Sequence, residues 1–363
     1  MRLSKISVEG FKSLQEVKDL KLRNLNVLIG ANGAGKSNFI ALFRLLNQMV
    51  SGNFQTAVLQ QGGANALLYL GEKTTPQITV QLDFERNAYY CVWIPTVDER
   101  LIFAKETCIF YGDRVPQWEK QLGSGHLESR LPQAAQETKE PVLDYVLQGL
   151  NAWKVYHFHD TSDSALVKKS RALNDNLYLR PDAANLAAFL YRLQQSAPQY
   201  YAAIRETVQL VFPVFDDFLL RPQPENENLI RLEWREQGSD YPFMAYHLSD
   251  GTLRFICLAT LLLQPELPPT ILIDEPELGL HPYAIEVLAS LMRSAAERTQ
   301  LIVATQSVTL VNHFTLEDIL VVENRKRATT IERLDSEQLS DWLEDYALGE
   351  LWEKNVFGGR PTR

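Results

Sequence analysis

The run Gly30-Ala31-Asn32-Gly33-Ala34-Gly35-Lys36-Ser37 gathers three glycines, a lysine and a hydroxyl within eight residues. That composition suits a polyphosphate. Glycines let the backbone curl so that several N–H groups converge on one anion, and a following helix adds its positive N-terminal end. A lysine at this spacing reaches the β- and γ-phosphates, and the hydroxyl after it ligates Mg2+. Asn32, Gly33, Gly35, Lys36, Ser37 and Asn38 are therefore the expected nucleotide-binding residues. A second cluster, Asp274-Glu275-Pro276, supplies carboxylates. Asp274 would hold Mg2+ together with Ser37, and Glu275 would act as the general base or position the attacking water. The competing readings are a glycine turn that merely precedes Lys-Ser, and an acidic loop capping the helix that Pro282 helps begin.

The flanking residues favour the chemical reading. Asn26-Val27-Leu28-Ile29 reads as a short buried strand, and Phe39, Ile40, Phe43 and Leu46 recur at helical spacing after the glycines. Strand, glycine-rich turn and helix together form the setting a phosphate loop requires. Thr270-Ile271-Leu272-Ile273 reads as a buried parallel strand, with its two acids at the carboxyl end, where open α/β sheets place ligands. Lys36 and Asp274 lie 238 positions apart, so the sheet has to be assembled from both ends of the chain.

Composition sets the outer bounds. The chain has 363 residues, 45% of them hydrophobic and 22% charged, which argues against disorder. With 36 basic and 45 acidic residues the net charge is −9, excluding a wholly basic coat for nucleic acid while permitting a local basic patch. The apolar stretch Ile256 to Leu263 is far shorter than the roughly 18 residues of a membrane span. Met1 to Gly10 has no apolar signal core, and the three cysteines, Cys91, Cys108 and Cys257, are scattered. A cytoplasmic protein without a membrane partner is the expectation.

Residues 1–112 read as strands around one helix, with Leu3, Ile6 and Val8 alternating, as do Ile78, Val80, Leu82 and Phe84. Residues 113–240 are mixed but richer in helix, including Asn185 to Gln194 and Gln199 to Phe212. They read as an insertion between the halves that carry the phosphate loop and the acidic cluster. Residues 241–335 alternate apolar strand and helix, as a parallel core would, and 336–363 form a tail. No heptad pattern is long enough for an extended coiled coil.

His247-Leu248-Ser249-Asp250-Gly251-Thr252-Leu253-Arg254-Phe255, then Asp274-Glu275-Pro276-Glu277-Leu278-Gly279-Leu280-His281-Pro282, resemble the signature motif, acidic strand and dimer-contact loop of ABC-type ATPases. The likeness is closest to the branch holding RecF, the SMC heads and the OLD proteins. More narrowly, the chain resembles stand-alone AAA-type ATPases of bacterial defence loci. Gly10-Phe11-Lys12-Ser13, Tyr156-His157-Phe158-His159-Asp160-Thr161 and Trp352-Glu353-Lys354-Asn355 with Gly358-Gly359-Arg360-Pro361 extend the likeness along the chain.

The resemblance implies an α/β P-loop NTPase fold: an ABC-type ATPase head, a mixed sheet flanked by helices, with a largely helical α+β insertion. It implies a homodimer, or a higher oligomer, sandwiching ATP. In it Ser249 and Gly251 of one copy meet the γ-phosphate held by the other; Ser249 also suits a plain helix N-cap, and the two roles are compatible. Where the family usually carries a switch histidine, this chain has Gln306 after Gln300-Leu301-Ile302-Val303-Ala304-Thr305. Glutamine can donate a hydrogen bond but carries no charge, which implies slower hydrolysis. Gln60 and Gln61 are both candidates for the family's metal-linking glutamine. Full-length OLD proteins carry a nuclease after the ATPase, so a nuclease-like effector acting in trans is the implied partner, in anti-phage defence. The alternative is a RecF-like, ATP-dependent DNA clamp in repair or recombination.

Three lesser features stay open. His157 and His159 share a face if Tyr156 to Thr161 is an alternating strand, suiting either a metal or packing. Lys168-Lys169-Ser170-Arg171 and Arg325-Lys326-Arg327 suit either nucleic-acid phosphates or solvated turns.

Overall fold

The computed structural model describes residues 2–112, 118–334, 346–356 and 358–359. The boundaries expected at 112/113 and 335/336, and the pair Arg360-Pro361, therefore fall wholly or partly outside the described residues. The chain forms two compact units. The first comprises Met1–Val155, Pro269–Leu272 and Thr315–Arg363; the second comprises Tyr156–Pro268 and Ile273–Phe314.

In the first unit, alternation of apolar residues builds a six-stranded antiparallel sheet in the order Leu14–Lys21, Lys5–Phe11, Ile78–Phe84, Asn87–Pro95, Leu101–Phe110, Trp118–Gly123. Ile78, Val80 and Leu82 point inward and are fully buried. A second set of strands carries the phosphate loop. Leu25–Ile29 is buried at every position, as a strand covered on both faces must be. It pairs in parallel with Ile319–Arg325, Val27 opposite Ile319 and Ile29 opposite Val321, and Ile319–Arg325 turns back antiparallel into Ala328–Arg333. The two ends of the chain thus meet in one sheet, as the separation of the motifs required.

The first 112 residues hold three helices, not one: Lys36–Val50, Phe54–Gln60 and Ala64–Leu67. The second of these is capped from far away. Glu128 accepts hydrogen bonds from the Phe54 and Gln55 amides at 2.8 and 3.0 Å. A carboxylate at a helix N-terminus satisfies otherwise unpaired donors and complements the dipole, and no local residue signals it.

The second unit is mixed. Leu186–Ser196 and Pro198–Val211 are helices, as the periodicity predicted. Short antiparallel strands join Phe215–Phe218 to Glu233–Glu236 and Phe243–Met244, around Phe215, Phe218 and Trp234. Pro198–Val211 packs on the signature helix, Asp250–Leu263, which in turn packs on Pro282–Arg298. Proline occupies the first turn of Pro282–Arg298, where its missing N–H is harmless. Gln300–Thr305 is buried at all six positions.

One expected strand is cut short. It ends at Tyr156, and 157–161 are irregular. The backbone there is held by side chains instead: Arg254 takes the carbonyls of Phe158 and His159 through Nε and a terminal nitrogen, at 2.9 and 3.3 Å. The His157 and His159 rings lie 5.9 Å apart and edge to face. Among the described residues no group of three or more His, Cys, Asp or Glu is arranged to hold a metal ion, and no helix is long and apolar enough to cross a membrane.

Candidate active site

The phosphate loop is set by glycines at left-handed dihedrals. Gly33 has φ +77° and Gly35 has φ +113°, conformations that a Cβ makes unfavourable. Gly35 is also squeezed, since a Cβ there would lie 2.0 Å from Thr329 Oγ1 and 2.9 Å from Ser13 Oγ. The returning hairpin therefore buttresses the loop. Thr329 Oγ1 donates to Ala34 O at 2.8 Å and lies 2.7 Å from Ser13 Oγ, to which Asn38 Nδ2 donates at 2.7 Å. Asn324 Nδ2 donates to Gly33 O at 3.3 Å. The Lys36 ammonium is buried and folded back onto the loop, donating to Gly30 O at 2.5 Å and Ala31 O at 3.1 Å. The helix that Lys36 begins has no side-chain cap and no acid in its first turn among the described residues. Its N-terminal amides and dipole are thus matched to an external anion. Asn32 and Ser37 are exposed at the same place.

The acidic cluster of the second unit is tied to the end of Gln300–Thr305. The Glu275 amide donates to Ala304 O at 2.8 Å, and the Glu275 carboxylate accepts from Gln306 Nε2. Glu275 sits at φ +43°, a backbone state rare for a residue with a Cβ and found where surroundings over-determine it. The Asp274 carbonyl lies 2.7 Å from His159 Nε2, a bond that needs the Nε2–H tautomer. The resemblance put Gln306 where the family carries a switch histidine; here its uncharged side-chain amide is the group that touches the Glu275 carboxylate.

Glu277 was part of the motif but had no assigned role. Its Oε1 accepts from Thr305 Oγ1 at 2.5 Å and from the Gln306 amide at 3.2 Å, while Oε2 is buried without a hydrogen-bond partner among the described residues. Burial pushes its carboxyl above the usual range, the nearby Glu275 carboxylate adds to that, and the bonds from Thr305 and Gln306 hold it back. Glu277 thereby fixes the backbone of the residue that contacts Glu275.

The signature segment confirms one of its two expected roles. Ser249 caps Asp250–Leu263, its Oγ accepting from the Thr252 amide at 3.1 Å. Gly251 has a local reason to be glycine: a Cβ there would lie 2.2 Å from Gly279 O. Arg254, one turn on, is buried and donates to the carbonyls of Phe158, His159 and Leu278. It locks the helix to the loop after the acids. Burial holds its guanidinium below the ordinary range. His159 had been weighed only for metal or packing, and Arg254, Thr305 and Thr329 had no assigned role, because the groups that His159, Arg254, Thr305 and Thr329 bond lie 24 or more positions along the chain.

The three cysteines are buried thiols, and burial pushes Cys257 up to about 12, so none is a poised nucleophile. Ser37 carries a hydroxyl and Asp274 a carboxylate, each a hard oxygen donor of the kind Mg2+ prefers.

The family described as "AAA domain, putative AbiEii toxin, Type IV TA system" matches residues 114–312, more than half of the chain, and the family "AAA ATPase domain" matches residues 1–120. No curated protein matches. Among solved structures, an SMC head bound to the C-terminal winged-helix domain of ScpA superposes with a TM-score of 0.58 at 16% identity, covering 94% of this chain and 100% of that one. An SMC head with an extended coiled coil, bound to the C-terminal domain of ScpA derived from Pyrococcus furiosus, gives 0.53 at 15%, covering 94% and 98%. At that identity the likeness speaks to the fold. The chain thus has the P-loop, ABC-type ATPase fold seen in SMC heads, and it belongs to the family described as "AAA domain, putative AbiEii toxin, Type IV TA system".

Proposed function

We propose that this protein is an ATP-hydrolysing switch that pairs around ATP and controls a separate effector. In this reading Asn32, Gly33, Gly35, Lys36, Ser37 and Asn38 bind the triphosphate. Ser37 and Asp274 hold Mg2+, which when bound neutralises charge on the β- and γ-phosphates. Glu275 orients and deprotonates the attacking water, and Gln306 holds the Glu275 carboxylate in place. Ser249 and Gly251 present the signature helix to the γ-phosphate held by a second copy, giving a twofold interface present only while nucleotide is bound. The effector would be nuclease-like and the setting anti-phage defence, a reading with which the AbiEii-type family is compatible.

The observation that carries this is the phosphate loop: left-handed glycines closing a turn onto an uncapped helix N-terminus, with Lys36 inside it. Lys36→Ala is expected to abolish binding of a fluorescent ADP analogue. Glu275→Gln is expected to keep binding, stop phosphate release and accumulate a dimer with ATP and Mg2+, read by light scattering. A Glu275→Gln protein that stays monomeric with ATP would refute the sandwich. A second reading, an ATP-dependent DNA clamp, draws on the exposed tip Arg325-Lys326-Arg327. ATP-dependent, salt-sensitive binding of duplex DNA, weakened by charge removal at that tip, would favour it over the effector switch.

A further inference from the structure

We propose that Gly358 and Gly359 form a backbone latch that positions the first turn of the phosphate loop and so sets nucleotide affinity. The inference rests on the ATP reading above and adds a positioning element some 330 residues along the chain from the loop it serves.

The contacts are few and mutually dependent. The Ala31 amide donates to Gly359 O at 2.8 Å. The Gly359 amide donates in turn to Glu323 Oε1 at 2.7 Å. Glu323 follows Val322, and a Cβ on Gly30 would fall 2.2 Å from the Val322 carbonyl. One strand, Ile319–Arg325, therefore abuts the start of the loop and anchors the latch with consecutive residues. The latch favours glycine. Both residues are left-handed, at φ +84° and +86°. A Cβ on Gly358 would lie 2.2 Å from Glu323 Oε1, and one on Gly359 would lie 2.9 Å from Trp352 Nε1 and 3.2 Å from Val321 Cγ1. Trp352 itself is buried on the helix Leu348–Glu353, which delivers the pair.

The latched peptide is also the one the loop lysine uses. Lys36 Nζ donates to Gly30 O and Ala31 O, the two carbonyls that flank the latched Ala31 amide. A nucleotide must draw the ammonium off those carbonyls and onto its phosphates. With Ala31 held by Gly359, the freed Gly30–Ala31 turn keeps its shape; without it, ordering that turn is charged against binding. By linkage, nucleotide must then tighten the latch by the factor that the latch tightens nucleotide.

The test uses the full chain, Gly359→Ala and, separately, Glu323→Ala. Affinity for a fluorescent ADP analogue is measured alongside the nucleotide-free melting temperature, kcat at saturating ATP, and amide exchange over 25–38 and 346–359. The expected result is faster exchange over 25–38 and a Kd raised about tenfold (about 1.4 kcal/mol) in both variants. The change in kcat should be far smaller, and in the parent ADP should slow exchange over 346–359. Variants that speed exchange over 25–38 yet bind ADP like the parent would overturn the proposal. So would variants that leave that exchange unchanged, or that melt earlier with Kd unaltered. A parent that fails to bind ADP would instead sink the ATP reading on which the latch rests.

Discussion

Replacing Glu277 separates geometry from charge at the centre of the proposed site. Its Oε1 receives two hydrogen bonds, 2.5 Å from Thr305 Oγ1 and 3.2 Å from the Gln306 amide. Bonds to a charged acceptor contribute about 1.5–3 kcal/mol each, the longer one at the low end. Glu277→Ala removes both, but also removes a carboxylate whose burial is unfavourable, so the net loss of stability is expected to be only about 1–2 kcal/mol. The larger effect falls on turnover. Releasing the Gln306 backbone frees its amide from Glu275, a charge-assisted contact of about 1.5–3 kcal/mol, which corresponds to roughly 10- to 100-fold in kcat. Glu277→Gln keeps an oxygen acceptor in place and should stay within about fivefold of the parent.

The two variants also differ with pH. The carboxyl is raised in the folded state, so the native protein binds the proton more tightly than the unfolded chain does. Parent stability relative to Glu277→Gln should therefore fall as pH climbs from the ordinary carboxylate range into the raised one, then level off. Phosphate release at saturating ATP and thermal unfolding between pH 4 and about 8 read both effects. A Glu277→Ala enzyme with parental kcat, or a Glu277→Gln enzyme as slow as the alanine, would refute the positioning role.

Three further outcomes are expected. Gln306→His should raise steady-state turnover, since an imidazole can carry the charge that the amide lacks; an unchanged or lower rate would show that Gln306 is not the brake. Gly251→Ala forces a Cβ toward Gly279 O, and an overpacked contact of this kind should destabilise by about 1–3 kcal/mol in thermal unfolding. Arg254→Leu leaves three carbonyls unsatisfied, for about 3 kcal/mol, or about 4 °C in melting temperature for a chain of this length.

The phosphate loop and the helix starts were legible because their causes are local. The glycines, Lys36, the Ser249 cap and Pro282 act within a turn of where they stand in the sequence. The helix Phe54–Gln60 was missed because its cap, Glu128, lies more than 70 positions away. The alternating strand expected to carry His157 and His159 stops at Tyr156, and Arg254 takes carbonyls that a neighbouring strand would otherwise bond. Gln306 was singled out by the resemblance alone, as the residue standing where the family carries a histidine after a buried strand. Glu277 stood in plain view within its motif, but it holds a hydroxyl and a backbone amide nearly thirty positions on, and the amide leaves no mark on residue type.

The parallel pairing of Leu25–Ile29 with Ile319–Arg325 also governs when the protein comes into being. The first strand leaves the ribosome some 290 residues before its neighbour, a delay of about 15 to 60 s at ordinary rates of synthesis. Through that interval the glycine turn has neither the Thr329 buttress nor the Asn324 contact. The buttressed geometry of the glycine turn is therefore expected to form abruptly and late, once the closing hairpin is made, and any anion affinity that depends on it should appear at the same moment.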